Sequence, residues 1–154
     1  MRFWLNKGVD GFRVDVIWHL LKDAHFRDNP ANPNFLPGSP PHEALLLVYS
    51  TDRPEVLDIV MEMRRVVDEF PDRVLIGEIY LPLKRLVAYY GTDLSGANLP
   101  FNFALLSAPW KARAIAKLID DYEAALPFGA CRTGYWAITI DLGLPVALGR
   151  RKRE

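Results

Sequence analysis

A parallel α/β fold follows from three features of this chain. Two apolar, β-type runs each end near a carboxylate; amphipathic helical patterns follow them; and strand and helix alternate along the sequence. The length, 154 residues, is that of one ordinary domain. The first run is Val9 to Ile17, where Phe12, Val14 and Val16 alternate with Gly11, Arg13, Asp15 and Ile17, the period of a strand. Trp18 to Asp23 is expected to turn into a short helix. Arg27 to His42 is proline-rich and without periodicity, so a long loop is expected, and loops of that length in a compact domain are usually functional or disordered.

A helix is predicted to begin at Asp52, with Asp52 as N-cap, Pro54 in the first turn and Glu55 at the capping-box spacing. Val56, Ile59, Val60, Met63, Val67 and Phe70 fall on one face, and Pro71 and Asp72 end it. Val74 to Tyr80 is a continuous apolar run holding a single acid, Glu78, as in a buried parallel strand. Pro82 to Tyr90 predicts a short helix, Gly91 to Ala97 a polar turn, Leu99 to Leu106 a third strand entered at Pro100, and Ala112 to Ala125 a further helix. On these patterns alone the parallel sheet is either open or closed into a barrel.

Composition narrows the function classes. Half of the residues are hydrophobic and a quarter charged, which excludes disorder as the main state. Nineteen basic and nineteen acidic side chains cancel, so neither nucleic acid nor an anionic membrane is an expected partner. One cysteine, Cys131, excludes an internal disulfide framework and a Cys-rich zinc site. No calcium site is assigned and no cofactor is implied. No apolar run is long enough to span a bilayer, and Met1 to Lys7 lacks the apolar core of a signal peptide, so a cytoplasmic location is expected.

In parallel α/β folds, polar groups at the C-terminal ends of strands face the ligand. Asp15 and Glu78 occupy such places, and Arg13, two residues before Asp15, shares its strand face. Either acid alone could form a structural ion pair with a nearby arginine. Two acids ending successive strands, with an arginine beside one, favour catalysis.

Asp10-Gly11-Phe12-Arg13-Val14-Asp15-Val16-Ile17 resembles the fourth-strand signature of the α-amylase family of glycoside hydrolases (family 13), and Gly77-Glu78-Ile79-Tyr80 resembles its fifth. The spacing between them, Phe26-Arg27-Asp28-Asn29-Pro30 and Tyr49-Ser50-Thr51-Asp52 are similar to α-glucosidases and oligo-1,6-glucosidases. Leu99-Pro100-Phe101-Asn102-Phe103 is similar to their sixth strand. The resemblance covers roughly Met1 to Ala130 and implies part of a (β/α)8 TIM barrel, strands four to six with their helices. It also implies a retaining α-glucosidase acting on oligosaccharides, with Asp15 as nucleophile, Glu78 as general acid/base and Arg13 orienting Asp15. Retention needs two carboxylates about 5–5.5 Å apart, and neighbouring strands lie about 4.8 Å apart. An arginine beside Asp15 favours its ionised form, and an apolar surround favours a protonated Glu78.

By the same resemblance His19 lines the aglycone side, with an ordinary helix-start histidine as the alternative, and Val16 goes with a preference for α-1,6 over α-1,4 linkages. One such contact is worth about 1–3 kcal/mol. Trp18, Tyr80 and Phe101 are aromatics that could stack on sugars, although core packing is the commoner role. A transglycosidase or trehalose-forming isomerase of the same family shares these motifs. A non-catalytic α/β carbohydrate-binding module is the alternative outside enzymes.

The resemblance implies an internal segment, with earlier strands and their sugar-binding groups missing before Met1, and inactivity of the chain alone. After Ala130 the family continues Trp-Pro-Asn-Trp-Val-Leu-Gly-Asn-His-Asp, which includes a third catalytic acid. Here the chain reads Cys131-Arg132-Thr133-Gly134-Tyr135-Trp136, which fits the same codons read one base out of frame. Residues 131–154 are therefore expected to be an out-of-frame tail. Asp141 is then no substitute for the missing acid, and Arg150 to Arg153 is a solvated tail.

Overall fold

The computed structural model describes residues 1–132. Chain order is helix α1 (Arg2–Asn6), strand β1 (Gly11–Val14), helix α2 (Val56–Asp68), strand β2 (Val74–Ile79), helix α3 (Leu83–Leu86), strand β3 (Leu99–Asn102) and helix α4 (Ala112–Ala125). The strands form one parallel sheet in the order β1-β2-β3, with Val14 opposite Gly77 and Glu78 opposite Phe101. Sequential parallel strands joined by helices give the partial α/β architecture expected from the alternation.

Strand period sorts the side chains into two faces. Leu75 and Ile79 of β2 point toward the helices, where Val56, Val60 and Val67 of α2, Leu86 and Tyr89 complete a buried core. Phe12 and Val14 of β1 pack against it. Arg13 and Glu78, at the alternate positions, share the opposite face. The helix-facing side is buried core; the other side carries Arg13 and Glu78 among the apolar Ile76, Leu99 and Phe101 of the neighbouring strand positions, and it bears the chemistry.

The details depart from the sequence reading in four places. β1 stops at Val14; Val16 adopts a left-handed conformation (φ 43, ψ 44), and Ile17–His19 form a 3-10 turn. Ile17 leaves the strand because it is buried against Gly77, where an added Cβ would stand 3.2 Å from Ile17 Cγ2. α2 begins at Val56 with no side-chain cap, so Asp52 is not its N-cap. The turn donates Val56 N to Arg53 O (2.9 Å) and Leu57 N to Pro54 O (3.2 Å), satisfying amides a cap would have taken. On α2, Val66 is buried whereas Ile59 lies at the stripe's margin and is exposed. β3 ends at Asn102, whose Oδ1 accepts from Ala104 N at 2.9 Å and turns the chain into a 3-10 segment, Ala104–Ser107.

The long excursion between β1 and α2 is folded. Its two limbs meet at an isolated antiparallel bridge, Ala31 with Leu45, and Asn32 N donates to Ala44 O at 2.8 Å. Among the described residues no helix is long and apolar enough to cross a membrane. The reading of the tail from Thr133 onward, including Asp141 and the Arg150 to Arg153 run, lies outside the described residues.

Candidate active site

Asp15 follows β1 directly, and Val14 pairs with Gly77, so the ladder brings Asp15 beside Glu78 across adjacent strands. Arg13 joins them. Its Nη1 donates to Asp15 Oδ1, and its Nη2 donates to Glu78 Oε2 at 2.9 Å. One guanidinium therefore holds both carboxylates at the C-terminal ends of neighbouring strands. Their surroundings differ: the Asp15 side chain is 70% exposed and that of Glu78 only 15%. An open carboxylate beside a fixed cation suits attack on a bound carbon; a recessed one suits proton exchange with a leaving oxygen.

Aromatic rings adjoin the Glu78 end. Tyr80 stacks on Phe103 with centroids 3.8 Å apart and planes 16° from parallel. Phe103 contacts Phe101 at 5.1 Å, and Trp18 contacts Tyr80 at 5.6 Å. Phe101 pairs with Glu78 in the ladder. Trp18 is buried in the core, whereas Tyr80 is half exposed. The sequence reading singled out Trp18, Tyr80 and Phe101 as aromatics that could stack on a sugar and passed over Phe103, because the Tyr80–Phe103 stack forms only when the chain turns out of β3.

Val16 and His19 lie on the turn that follows Asp15. Val16 is exposed, next to the carboxylate, in the left-handed region that β-branched residues rarely enter. His19 is half-buried, with Nδ1 3.1 Å from the Ser50 carbonyl oxygen and 3.3 Å from Thr51 Oγ1. A carbonyl only accepts, so Nδ1 is the protonated nitrogen in that contact, and His19 ties its turn to the end of the excursion. Among the described residues no group of three or more His, Cys, Asp or Glu side chains is placed to hold a metal ion.

The chain is 35% identical over 144 residues to the salivary alpha-glucosidase of Anopheles gambiae, covering 84% of this chain and 24% of that protein. It is 35% identical over 136 residues to the alpha-glucosidase of Apis mellifera, covering 82% of this chain and 22% of that protein. Among solved structures, the alpha-glucosyl transfer enzyme XgtA superposes with a TM-score of 0.70 at 30% identity, over 82% of this chain and 25% of that one. The chain spans about a quarter of the length of these relatives. Residues 1–126 match the family described as alpha amylase, catalytic domain, and the chain belongs to that family.

Proposed function

We propose that this chain carries the nucleophile and the general acid/base of a retaining α-glucosidase, its sheet being strands four to six of a (β/α)8 barrel. The observation that carries this reading is the single Arg13 guanidinium bonded to both Asp15 and Glu78. In the first step an Asp15 carboxylate oxygen attacks the anomeric carbon of an α-glucoside. The bond to the glycosidic oxygen breaks, and the Glu78 carboxyl gives that oxygen its proton. The products are a glycosyl ester on Asp15 and the free aglycone. In the second step Glu78, now a carboxylate, takes a proton from water, whose oxygen displaces Asp15 and releases the sugar with net retention. Arg13 orients Asp15 for attack and steadies the charge returned to it on departure. The stacked Tyr80 and Phe103 form an apolar wall on the Glu78 side, suited to a sugar face at the aglycone position. An oligosaccharide substrate with α-1,6 preference is the expected class, on the strength of Val16.

Transfer in place of hydrolysis is the second reading, favoured by the 30% identity to an alpha-glucosyl transfer enzyme. There a sugar hydroxyl replaces water in the second step and the chemistry at Asp15 and Glu78 is unchanged.

Three parallel strands do not close a barrel, so the chain alone is expected to lack turnover. The test exchanges residues 1–126 for the matching segment of the Anopheles gambiae relative. The exchanged enzyme should hydrolyse a chromogenic α-glucoside, and Asp15→Asn or Glu78→Gln should each abolish at least about 99% of that activity. Full activity in either variant would overturn the assignment. Product analysis separates the two readings, since hydrolysis releases glucose and transfer lengthens the acceptor.

A further inference from the structure

Asp52, read from the sequence as a helix cap, makes no contact of that kind. Its backbone is left-handed (φ 50), and its side chain is only 15% exposed. The carboxylate accepts from Arg85 Nε at 2.6 Å and Arg85 Nη2 at 3.1 Å, and from the Tyr89 hydroxyl at 2.9 Å. Tyr89 is fully buried. Burial and the bond to Asp52 both raise the Tyr89 hydroxyl's ionisation range, so it remains a donor. Arg85 and Tyr89 stand on α3 and the 3-10 turn after it (Val87–Tyr90), the segment that follows the strand of Glu78.

The backbone beside Asp52 reaches the other way, toward Asp15. The Asp52 amide donates to Trp18 O at 2.8 Å. Ser50 O lies 3.1 Å from His19 Nδ1 and accepts from Lys22 Nζ at 3.1 Å, while Lys22 Nζ also donates to His19 O at 2.7 Å. Residues 50–52 therefore clamp the Ile17–His19 turn from one side, and Gly77 receives Ile17 on the other. Between this clamped turn and β1 stands Val16, at a φ of 43 that a free valine avoids. Strained backbone of this kind persists only where its surroundings over-determine it.

We propose that Asp52 is a positioning residue, which holds the turn after Asp15 against the helix after Glu78 and so keeps Val16 left-handed and Asp15 within reach of Arg13. The inference rests on the proposed roles of Asp15 and Glu78, but the brace itself is a property of the fold. Without the carboxylate, Val16 relaxes toward negative φ and swings Asp15 away from the guanidinium it shares with Glu78.

The test uses the full 154-residue chain and two readouts that need no turnover. In Asp52→Asn, amide hydrogen exchange is expected to rise about tenfold or more over residues 16–19 and 83–89, with 57–67 of α2 within about twofold. The Arg13 Nη–H signals in nitrogen-15 NMR, sheltered by two carboxylates, should exchange with water about tenfold faster or more. Adding Val16→Asn should reverse most of the rise at residues 16–19, because asparagine holds that conformation unaided, whereas a merely structural role for Asp52 predicts no such rescue. An increase confined to residues 50–56, an even increase over the whole chain, or unchanged Arg13 signals would overturn the proposal. If Asp52→Asn does not fold, Tyr89→Phe removes one hydroxyl from the same brace, with the same pattern expected at about threefold and the same results overturning it. Failure of Asp15 or Glu78 to act on glucosides shows only in the segment-exchange assay and leaves these signals unaltered.

Discussion

Arg13 and Glu78 are joined across two parallel strands, Nη2 to Oε2 at 2.9 Å, by a guanidinium whose other nitrogen holds Asp15. Planar, five-donor arginine can bridge two carboxylates in this manner; lysine, a point charge on a flexible stem, cannot hold the same fork. The Arg13–Asp15 half of the arrangement sits at the solvent face, with the Arg13 side chain about half exposed, while Glu78 is recessed. Water and salt screen the exposed Arg13–Asp15 pair, so its contribution to folding is expected to be small.

Arg13→Lys separates a role in chemistry from one in stability. Denaturant unfolding of the variant chain should shift by less than about 1 kcal/mol, the range of exposed ion pairs. In the segment-exchanged enzyme, kcat/KM for a chromogenic α-glucoside should fall about 100-fold, the loss expected of one preorganised electrostatic contact. A large stability loss with normal turnover would make the triad a structural ion pair.

Sequence legibility divides along the range of the interactions. β2 was readable because a continuous apolar run with one acid is a local signal, and α4 occupies its expected span, Ala112–Ala125. Arg13 and Asp15, two residues apart, read as one strand face; Asp15 stands just past the end of β1 and meets Arg13 from the turn. Asp52 was not readable: its spacing to Pro54 and Glu55 matches a helix start, but its partners Arg85 and Tyr89 lie 33 and 37 residues downstream. Val16 and Ile17 continue the strand alternation, and only Gly77, on another strand, offers the space that draws Ile17 into a turn. The stack of Tyr80 on Phe103 likewise depends on where Asn102 ends β3, which periodicity does not encode.

Gly11→Ala tests the ladder that sets the two acids side by side. Gly11 pairs with Val74, and a Cβ built on Gly11 would collide with the Val74 carbonyl oxygen and side chain. The strands must part to admit it, at a cost of about 1–3 kcal/mol. Gly8→Ala is the control: its φ of 91 is unfavourable for alanine, but nothing lies within 4 Å of the added carbon. Activity in the exchanged enzyme should fall for Gly11→Ala and survive Gly8→Ala. Equal effects from both would remove the β1–β2 collision as the cause.

Val16→Asn should stabilise the chain. A valine at φ 43 carries backbone strain of about 1–2 kcal/mol, which asparagine largely avoids. The valine side chain is 45% exposed, so little apolar burial is forfeited. The urea midpoint should rise, corresponding to roughly 0.5–1 kcal/mol. A fall would mean that the packing of Val16 outweighs its strain. Val16→Thr in the exchanged enzyme should move the ratio of α-1,6 to α-1,4 hydrolysis by about tenfold, the scale of one pocket contact.

Asp23 links the excursion to acid stability. Its carboxylate is buried and accepts from Arg27 Nε at 2.9 Å and Nη2 at 2.6 Å, and from the amides of His25 at 3.1 Å and Arg27 at 3.4 Å. The Arg27 side-chain bonds, the largest cause, hold its ionisation well below the usual carboxylate range, against an opposing push from burial. The unfolded chain therefore binds a proton at Asp23 before the folded chain does. Stability from this group is fully present above the ordinary value of about 4 and is lost as pH falls below it toward the depressed folded value. Urea unfolding followed from about pH 5 down to pH 2 should show stability declining, with Asp23→Asn flattening that decline by up to about one bound proton. Since Asp23 N also donates to Tyr49 O at 2.7 Å, the excursion's closure depends on the same corner. Identical slopes in the two proteins would show that Asp23 titrates alike in the folded and unfolded chain, and that its four bonds do not hold the excursion closed in acid.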